Sequence, residues 1–293
     1  HLAIPVIGSP MFIASGPALV IAQCKAGIVG TMPSLSVRPE TALEPAIMQI
    51  KAALAAHDFE RPKQPAAPFG INLIAHKSNV RLQHDLEVCV RQRVPLIITS
   101  LGVSPDIINQ VQAYGGAVFH DVTTLRHARK AIDEGVDGLI AVAAGAGGHG
   151  GTLSPFALVG EIRQHFDGWL ALAGAMSTGA HVAAAMAMGA DFAYIGSAFI
   201  ATEEARAAEE YKQAVVDGTS DDIVLSNLFT GVHGNYLAPS IRNAGLDPDN
   251  LPESDPSKMN FGGGAQKAWK DIWGCGQGIG AVKAVVPAAE LVA

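Results

Sequence analysis

Short apolar runs rich in Val and Ile recur along the chain, separated by longer stretches whose apolar residues return every three or four positions. Runs of the first kind read as buried strands and stretches of the second as amphipathic helices. Strands are expected over residues 5–10, 28–32, 69–74, 96–100, 117–122, 139–144, 170–174 and 192–195. Helical spacing marks 79–93, 105–114, 124–135, 155–165 and 179–188, several of them followed by Gly. Strands apolar on both faces pair in parallel, and right-handed crossovers close eight of them into a (β/α)8 TIM barrel. An open doubly wound sheet is the alternative, but the turn Gly8-Ser9-Pro10-Met11 lacks the G-x-G-x-x-G pattern that such a sheet places after its first strand. After residue 200 the alternation stops. A charged helix is expected over 202–216, followed by Thr230-Gly231-Val232-His233-Gly234-Asn235-Tyr236, a polar stretch 249–258 and Asn260-Phe261-Gly262-Gly263-Gly264. The expected organisation is therefore a barrel core over 1–215 and an extension over 216–293, helices and loops that cover the barrel mouth and complete the site.

Composition narrows the chemistry. With 49% hydrophobic residues in 293, the chain can bury a large single core. A net charge of −7 without any Lys/Arg cluster argues against nucleic acid or an anionic membrane as partner. The three cysteines, Cys24, Cys89 and Cys275, are widely spaced and form neither a disulfide framework nor a zinc pattern, which fits a reducing cytoplasm. No metal is expected. No run of about 18 apolar residues free of charge is present. The chain opens within its first strand, which leaves residues upstream, a targeting peptide among them, an open matter.

Three loops carry the candidate chemistry, all at carboxyl ends of strands, where barrels build their sites. Gly145-Ala146-Gly147-Gly148-His149-Gly150-Gly151 follows the sixth strand and sets one imidazole among five glycines, an acid/base group held where backbone can approach a ligand. A surface turn with an incidental His is the competing reading. Gly174-Ala175-Met176-Ser177-Thr178-Gly179 and Gly196-Ser197-Ala198 follow the last two strands and present N–H groups and hydroxyls to one phosphate held without Lys or Arg. A mononucleotide such as FMN suits that seat better than a dinucleotide.

Pro10-Met11, Pro68-Phe69-Gly70-Ile71-Asn72-Leu73, Gly147-Gly148-His149, Ala173-Gly174-Ala175 and Gly196-Ser197 together resemble the nitronate monooxygenase family, formerly called 2-nitropropane dioxygenases, which also includes flavin-dependent enoyl-acyl-carrier-protein reductases. The resemblance runs over residues 4–215, and Trp273-Gly274-Cys275-Gly276-Gln277-Gly278 extends it to a late segment near the flavin. It implies an FMN seat on the barrel mouth. Met11 would lie under the ring, Asn72 at the ring edge or ribityl chain, and Gly174, Ala175, Gly196 and Ser197 around the phosphate. Gly147 and Gly148 would pass close to the cofactor, with Gln277 nearby. His149 would hydrogen-bond nitro or nitronate oxygens and serve as α-proton base for a neutral nitroalkane, with molecular oxygen as co-substrate.

The chain also departs from the pattern. Val142 and Gly145 stand where many members carry Gln and Glu, Ala175 replaces the second phosphate glycine, Ala198 follows the Gly-Ser pair, and Asp121 occupies a place where some reductases have Lys. The tail 267–273 and Ala238-Pro239-Ser240 are similar to a subgroup suspected of acting on CoA esters. Three functions are thus open: oxidative denitrification of alkyl nitronates, NAD(P)H-dependent reduction of enoyl thioesters, CoA esters or quinones, and a non-catalytic FMN-binding barrel. The sequence leaves self-association open.

Overall fold

The structure is a computed structural model that describes residues 2–254 and 271–293. Eight parallel strands form the central sheet: β1 (Val6–Gly8), β2 (Gly30–Pro33), β3 (Phe69–Ile74), β4 (Leu96–Ser100), β5 (Ala117–Val122), β6 (Gly138–Val142), β8 (Trp169–Ala173) and β9 (Phe192–Ile195), with the two-residue strand β7 (Gly148–His149) lying outside it. Neighbours run in the order β1-β9-β8-β6-β5-β4-β3-β2. The two ends meet through backbone hydrogen bonds, Gly8 N–H to Val29 O at 2.7 Å and Val29 N–H to Val6 O at 3.1 Å. This closes the barrel, so none of its eight strands is an edge.

Helices α1 (Pro17–Lys25), α2 (Leu43–Glu60), α3 (Leu82–Arg91), α4 (Pro105–Gln112), α5 (Leu125–Glu134), α6 (Pro155–Arg163), α7 (Gly179–Ala187) and the single turn α8 (Ser197–Ile200) follow the barrel strands in turn. Local chemistry sets several starts: Pro opens α1, α4 and α6, and the hydroxyls of Thr124 and Thr178 accept backbone N–H bonds at the N-caps of α5 and α7. Strand periodicity sorts the core. Leu96 and Ile98 of β4 join Phe119, Ile140 and Ala171 inside the barrel, whereas Ile97 packs outward with the helices. Continued one layer upward, the same alternation aims Asn72, Ser100, Asp121, Val142, Ala173 and Tyr194 at the barrel mouth.

Past the barrel the structure departs from the sequence expectation in two places. The charged helix expected over 202–216 is present only as α9 (Glu209–Asp217). Its amino-terminal half is drawn into tertiary pairing, with Glu203 N–H bonded to Val286 O at 3.1 Å and Arg206 N–H to Ala14 O at 2.9 Å, and these bonds outweigh local helical spacing. The extension, expected as helices and loops, also carries β10 (Ile223–Ser226) and β11 (Gly234–Leu237) ahead of α10 (Ala238–Asn243). Strand β11 pairs antiparallel with β10 on one side and with β7 on the other, so Gly234 faces His149. A strand of two residues leaves no periodicity to read. The segments 260–264 and 267–270 singled out in the sequence lie outside the described residues.

Candidate functional site

A cavity of about 1310 Å³ opens at the carboxyl ends of the barrel strands. Met11, Asn72, Gly147, Gly148, His149, Gly174, Ala175, Gly196 and Ser197 all line it, so nine of the ten residues singled out from sequence converge on one space. Gln277 is the exception. Its backbone N–H bonds Gly145 O at 2.9 Å, but its side chain is exposed and does not line the cavity.

The side formed by the loops after β8 and β9 is suited to an anion. Ser177 Oγ is buried in the cavity wall and has no partner among the described residues, an unsatisfied hydroxyl that calls for an acceptor or water. Ser197 Oγ accepts the Gly276 N–H at 2.9 Å, which leaves its own proton to donate. Gly174 and Ala175 both adopt positive φ, +145° and +54°, turning the loop away from helical geometry. Gly196 sits against Met11, since a Cβ there would lie 3.5 Å from Met11 Sδ.

One glycine of the loop after β6 also meets a packing demand. A Cβ on Gly147 would lie 2.7 Å from Gly276 N, and one on Gly276 would lie 2.6 Å from Gly145 O. These glycines are required because two backbones cross at the barrel mouth. The crossing segment is held by Cys275 N–H to Asn235 O at 3.0 Å, by Asn235 Nδ2 donating to Ala146 O at 2.7 Å, and by the Tyr211 ring stacked on Trp273 at 5.0 Å.

His149 is fixed by the extension. Its Nε2 lies 2.9 Å from Thr230 Oγ1, and that hydroxyl spends its proton on Val232 O at 3.0 Å. Thr230 must then accept, which places the imidazole proton on Nε2 and the lone pair on Nδ1. Some of the ring's surface opens on the cavity, yet protein surrounds most of it, and this burial pushes its pKa down to about 4. The side chain is neutral at pH 7.

Opposite the anion seat the floor is polar. Asn72, 4% exposed, donates to Ile98 O at 3.1 Å and to Ser100 Oγ at 2.8 Å, and Ser100 donates to Asp121 Oδ2. Tyr194 of β9 also lines the cavity. Sequence reading passed over Ser100, Tyr194 and Thr230. The alternation of β4 and β9 would have placed the first two inward, while Thr230 had no local signal.

Among the described residues no group of three or more His, Cys, Asp or Glu is arranged to hold a metal, and no helix is long and apolar enough to cross a membrane. The three cysteines are buried and free.

A polar-floored cavity at the carboxyl ends of the strands of a (β/α)8 barrel lies where barrels build small-molecule sites. The family model described as Nitronate monooxygenase matches residues 1–293, and the chain belongs to that family. It is 26% identical over 99% of its length to a nitronate monooxygenase of Paraburkholderia phytofirmans, of which it covers 90%. It is also 26% identical, over 82% of its length, to the (3aS,4S,5R,7aS)-5-hydroxy-7a-methyl-1-oxo-octahydro-1H-indene-4-carboxyl-CoA dehydrogenase of Rhodococcus jostii, and it spans only 64% of that protein. A solved structure of nitroalkane oxidase from Streptomyces ansochromogenes superposes with a TM-score of 0.82, at 22% identity, over 99% of this chain and 94% of the other.

Proposed function

We propose that the chain is an FMN-dependent oxidoreductase that oxidises nitroalkanes and their nitronates with molecular oxygen. The observation that carries the cofactor is the Ser177 hydroxyl, unsatisfied among the described residues and lining the same cavity as the Ser197 hydroxyl. Ser177 and Ser197 would donate to that phosphate, with Gly174, Ala175 and Gly196 leaving room for it. Met11 and Asn72 would border the ring, with Gln277 outside the contact shell. When bound, the flavin supplies the redox chemistry, taking electrons from the substrate and passing them to oxygen. His149 does the proton work. The imidazole takes the α-proton of a neutral nitroalkane while Thr230 keeps the ring oriented. A preformed nitronate needs no such step. The extension over 216–293, through β11 and the segment 274–278, completes the site by holding His149 and Ser197 in place.

The cavity's size favours a second reading. About 1310 Å³ exceeds the roughly 300–1,000 Å³ of pockets for one small ligand, and Val80, Leu101 and Val103 give the free side an apolar wall. A bulky thioester substrate of an NAD(P)H-dependent reductase would fill that space. Titration of the colourless or stripped protein with FMN tests the shared premise of both readings: one equivalent should bind with quenching of flavin fluorescence. Failure to take up FMN removes both.

A further inference from the structure

The loop after β4 holds a leucine in a conformation that leucine ordinarily avoids. Leu101 has a φ of +65°, in the left-handed region that strains any residue with a Cβ, and it is 39% exposed where it lines the cavity. Among the described residues the other non-glycines with positive φ are Ile13, Arg93 and Ala175, so Leu101 is the one that brings a large side chain to the cavity. Elsewhere on the same mouth the chain meets this demand with glycine, at Gly145, Gly148 and Gly174.

The neighbours impose the conformation. Ser100 O accepts the Ala75 N–H at 2.9 Å, Ser100 Oγ accepts from Asn72 at 2.8 Å and donates to Asp121, and the Leu101 N–H bonds the Asp121 carboxylate. On the other side a Cβ on Gly102 would lie 2.3 Å from Ala75 O, so the loop has no slack there. A glycine at 101 would satisfy this backbone without strain. The leucine side chain is therefore held at the mouth for something other than the loop's own geometry.

The adjacent loop after β3 presents a second such side chain. Val80 lines the cavity and is 95% exposed, yet the chain around it is braced: Asn79 Nδ2 donates to Ile74 O at 2.9 Å, the Asn79 N–H to His76 O at 2.8 Å and the Arg81 N–H to Asn79 Oδ1 at 3.1 Å. Neither Leu101 nor Val80 packs into a hydrophobic cluster of the described residues, whereas Val103 joins the main core and lines the cavity with them. Two braced loops on neighbouring strands thus hold aliphatic side chains where the occupant of the cavity covers them.

We propose that Leu101, together with Val80 and Val103, forms an aliphatic subsite that selects substrates with an extended alkyl chain over short ones, and that Leu101 sets the preference.

The choice of substrates for the test rests on the nitroalkane reading. The measurement is the ratio of kcat/KM for 1-nitrohexane over nitroethane. Each methylene buried is worth about fourfold, so wild type should favour the longer chain by about tenfold or more, and Leu101→Ala and Leu101→Gly should each lower the ratio at least about fivefold. A side chain with a merely structural role would lower both rates alike and leave the ratio in place. Melting temperature is the second readout. Leu101→Gly relieves the left-handed strain that Leu101→Ala keeps, so the glycine variant should melt above the alanine variant and no more than about 3 °C below wild type. A wild type without preference for the longer chain, a ratio that either variant leaves intact, or a glycine variant that melts below the alanine variant overturns the proposal. If no nitroalkane is turned over, the reaction proposed above fails, and the same ratio read as Kd for the two nitroalkanes by titration calorimetry decides the subsite.

Discussion

Gly276→Ala is the substitution that most directly asks whether the carboxyl-terminal segment belongs to the site. The added methyl would lie 2.6 Å from Gly145 O, 2.8 Å from Gly147 N and 3.3 Å from Ala146 C. All three are backbone atoms of the His149 loop, so no side chain can swing aside, and the two segments must separate. Separation strains or breaks the Gly276 N–H bond to Ser197 Oγ at 2.9 Å and the Gln277 N–H bond to Gly145 O at 2.9 Å. Overpacking of this kind costs about 1–3 kcal/mol and each of the two hydrogen bonds about 0.5–1.5 kcal/mol, so a loss of roughly 2–6 kcal/mol is expected. Part of it should appear in ligand affinity, because Ser197 is one of the two hydroxyls assigned to the phosphate. Urea unfolding read by circular dichroism gives the stability, and fluorescence titration with FMN gives the affinity. Stability within about 0.5 kcal/mol of wild type, the range of an ordinary surface substitution, together with unchanged FMN affinity would show that the crossing is not part of the site.

Other consequences are as direct. Gly196→Asp should abolish FMN retention, because a carboxylate placed beside Met11 would occupy and repel the phosphate, as absorbance after gel filtration will show. His149→Ala should keep FMN but slow anaerobic flavin reduction by a neutral nitroalkane about 10²–10⁴-fold, with little change for a preformed nitronate, and equal small effects would reduce His149 to a structural residue. Thr230→Val removes the acceptor of a mostly buried N–H and should cost about 1–3 kcal/mol in urea unfolding while slowing nitroalkane turnover through loss of ring orientation. Acid should weaken the fold through His149: the unfolded chain takes up a proton near pH 6.5 and the folded site only near 4, so this contribution is present above 6.5 and fades as pH falls toward 4. In His149→Gln that part of the acid sensitivity should be absent.

The barrel was legible because most of its strands fall within largely apolar runs bounded by turn residues. β3, β4, β5 and β9 begin and end at the residues expected from sequence alone. The loops after β6, β8 and β9 were legible as well, since glycines and hydroxyls at strand ends have few other uses. What stayed hidden depends on contacts distant in sequence. Nothing near Gly147 announces that Gly276 crosses it, so a glycine demanded by chain crossing looks the same as one demanded by a cofactor. His149 could be picked out by its loop, but its tautomer follows from Thr230, 81 residues away. The helix expected from 202 was cut short by Val286, a partner that no local window contains. Asp121 was visible only as a departure from a family pattern; its burial and its chain of donors through Ser100 and Asn72 emerged from three strands laid side by side.

Flavin chemistry driven by a carbon acid is tested most directly by stopped-flow absorbance under anaerobic conditions. The FMN-loaded protein mixed with propyl-2-nitronate should lose its visible flavin absorbance in a single turnover without NAD(P)H, and admission of oxygen should restore it. Bleaching by NAD(P)H while the nitronate leaves the spectrum untouched would contradict the account and assign the cavity to a reductase.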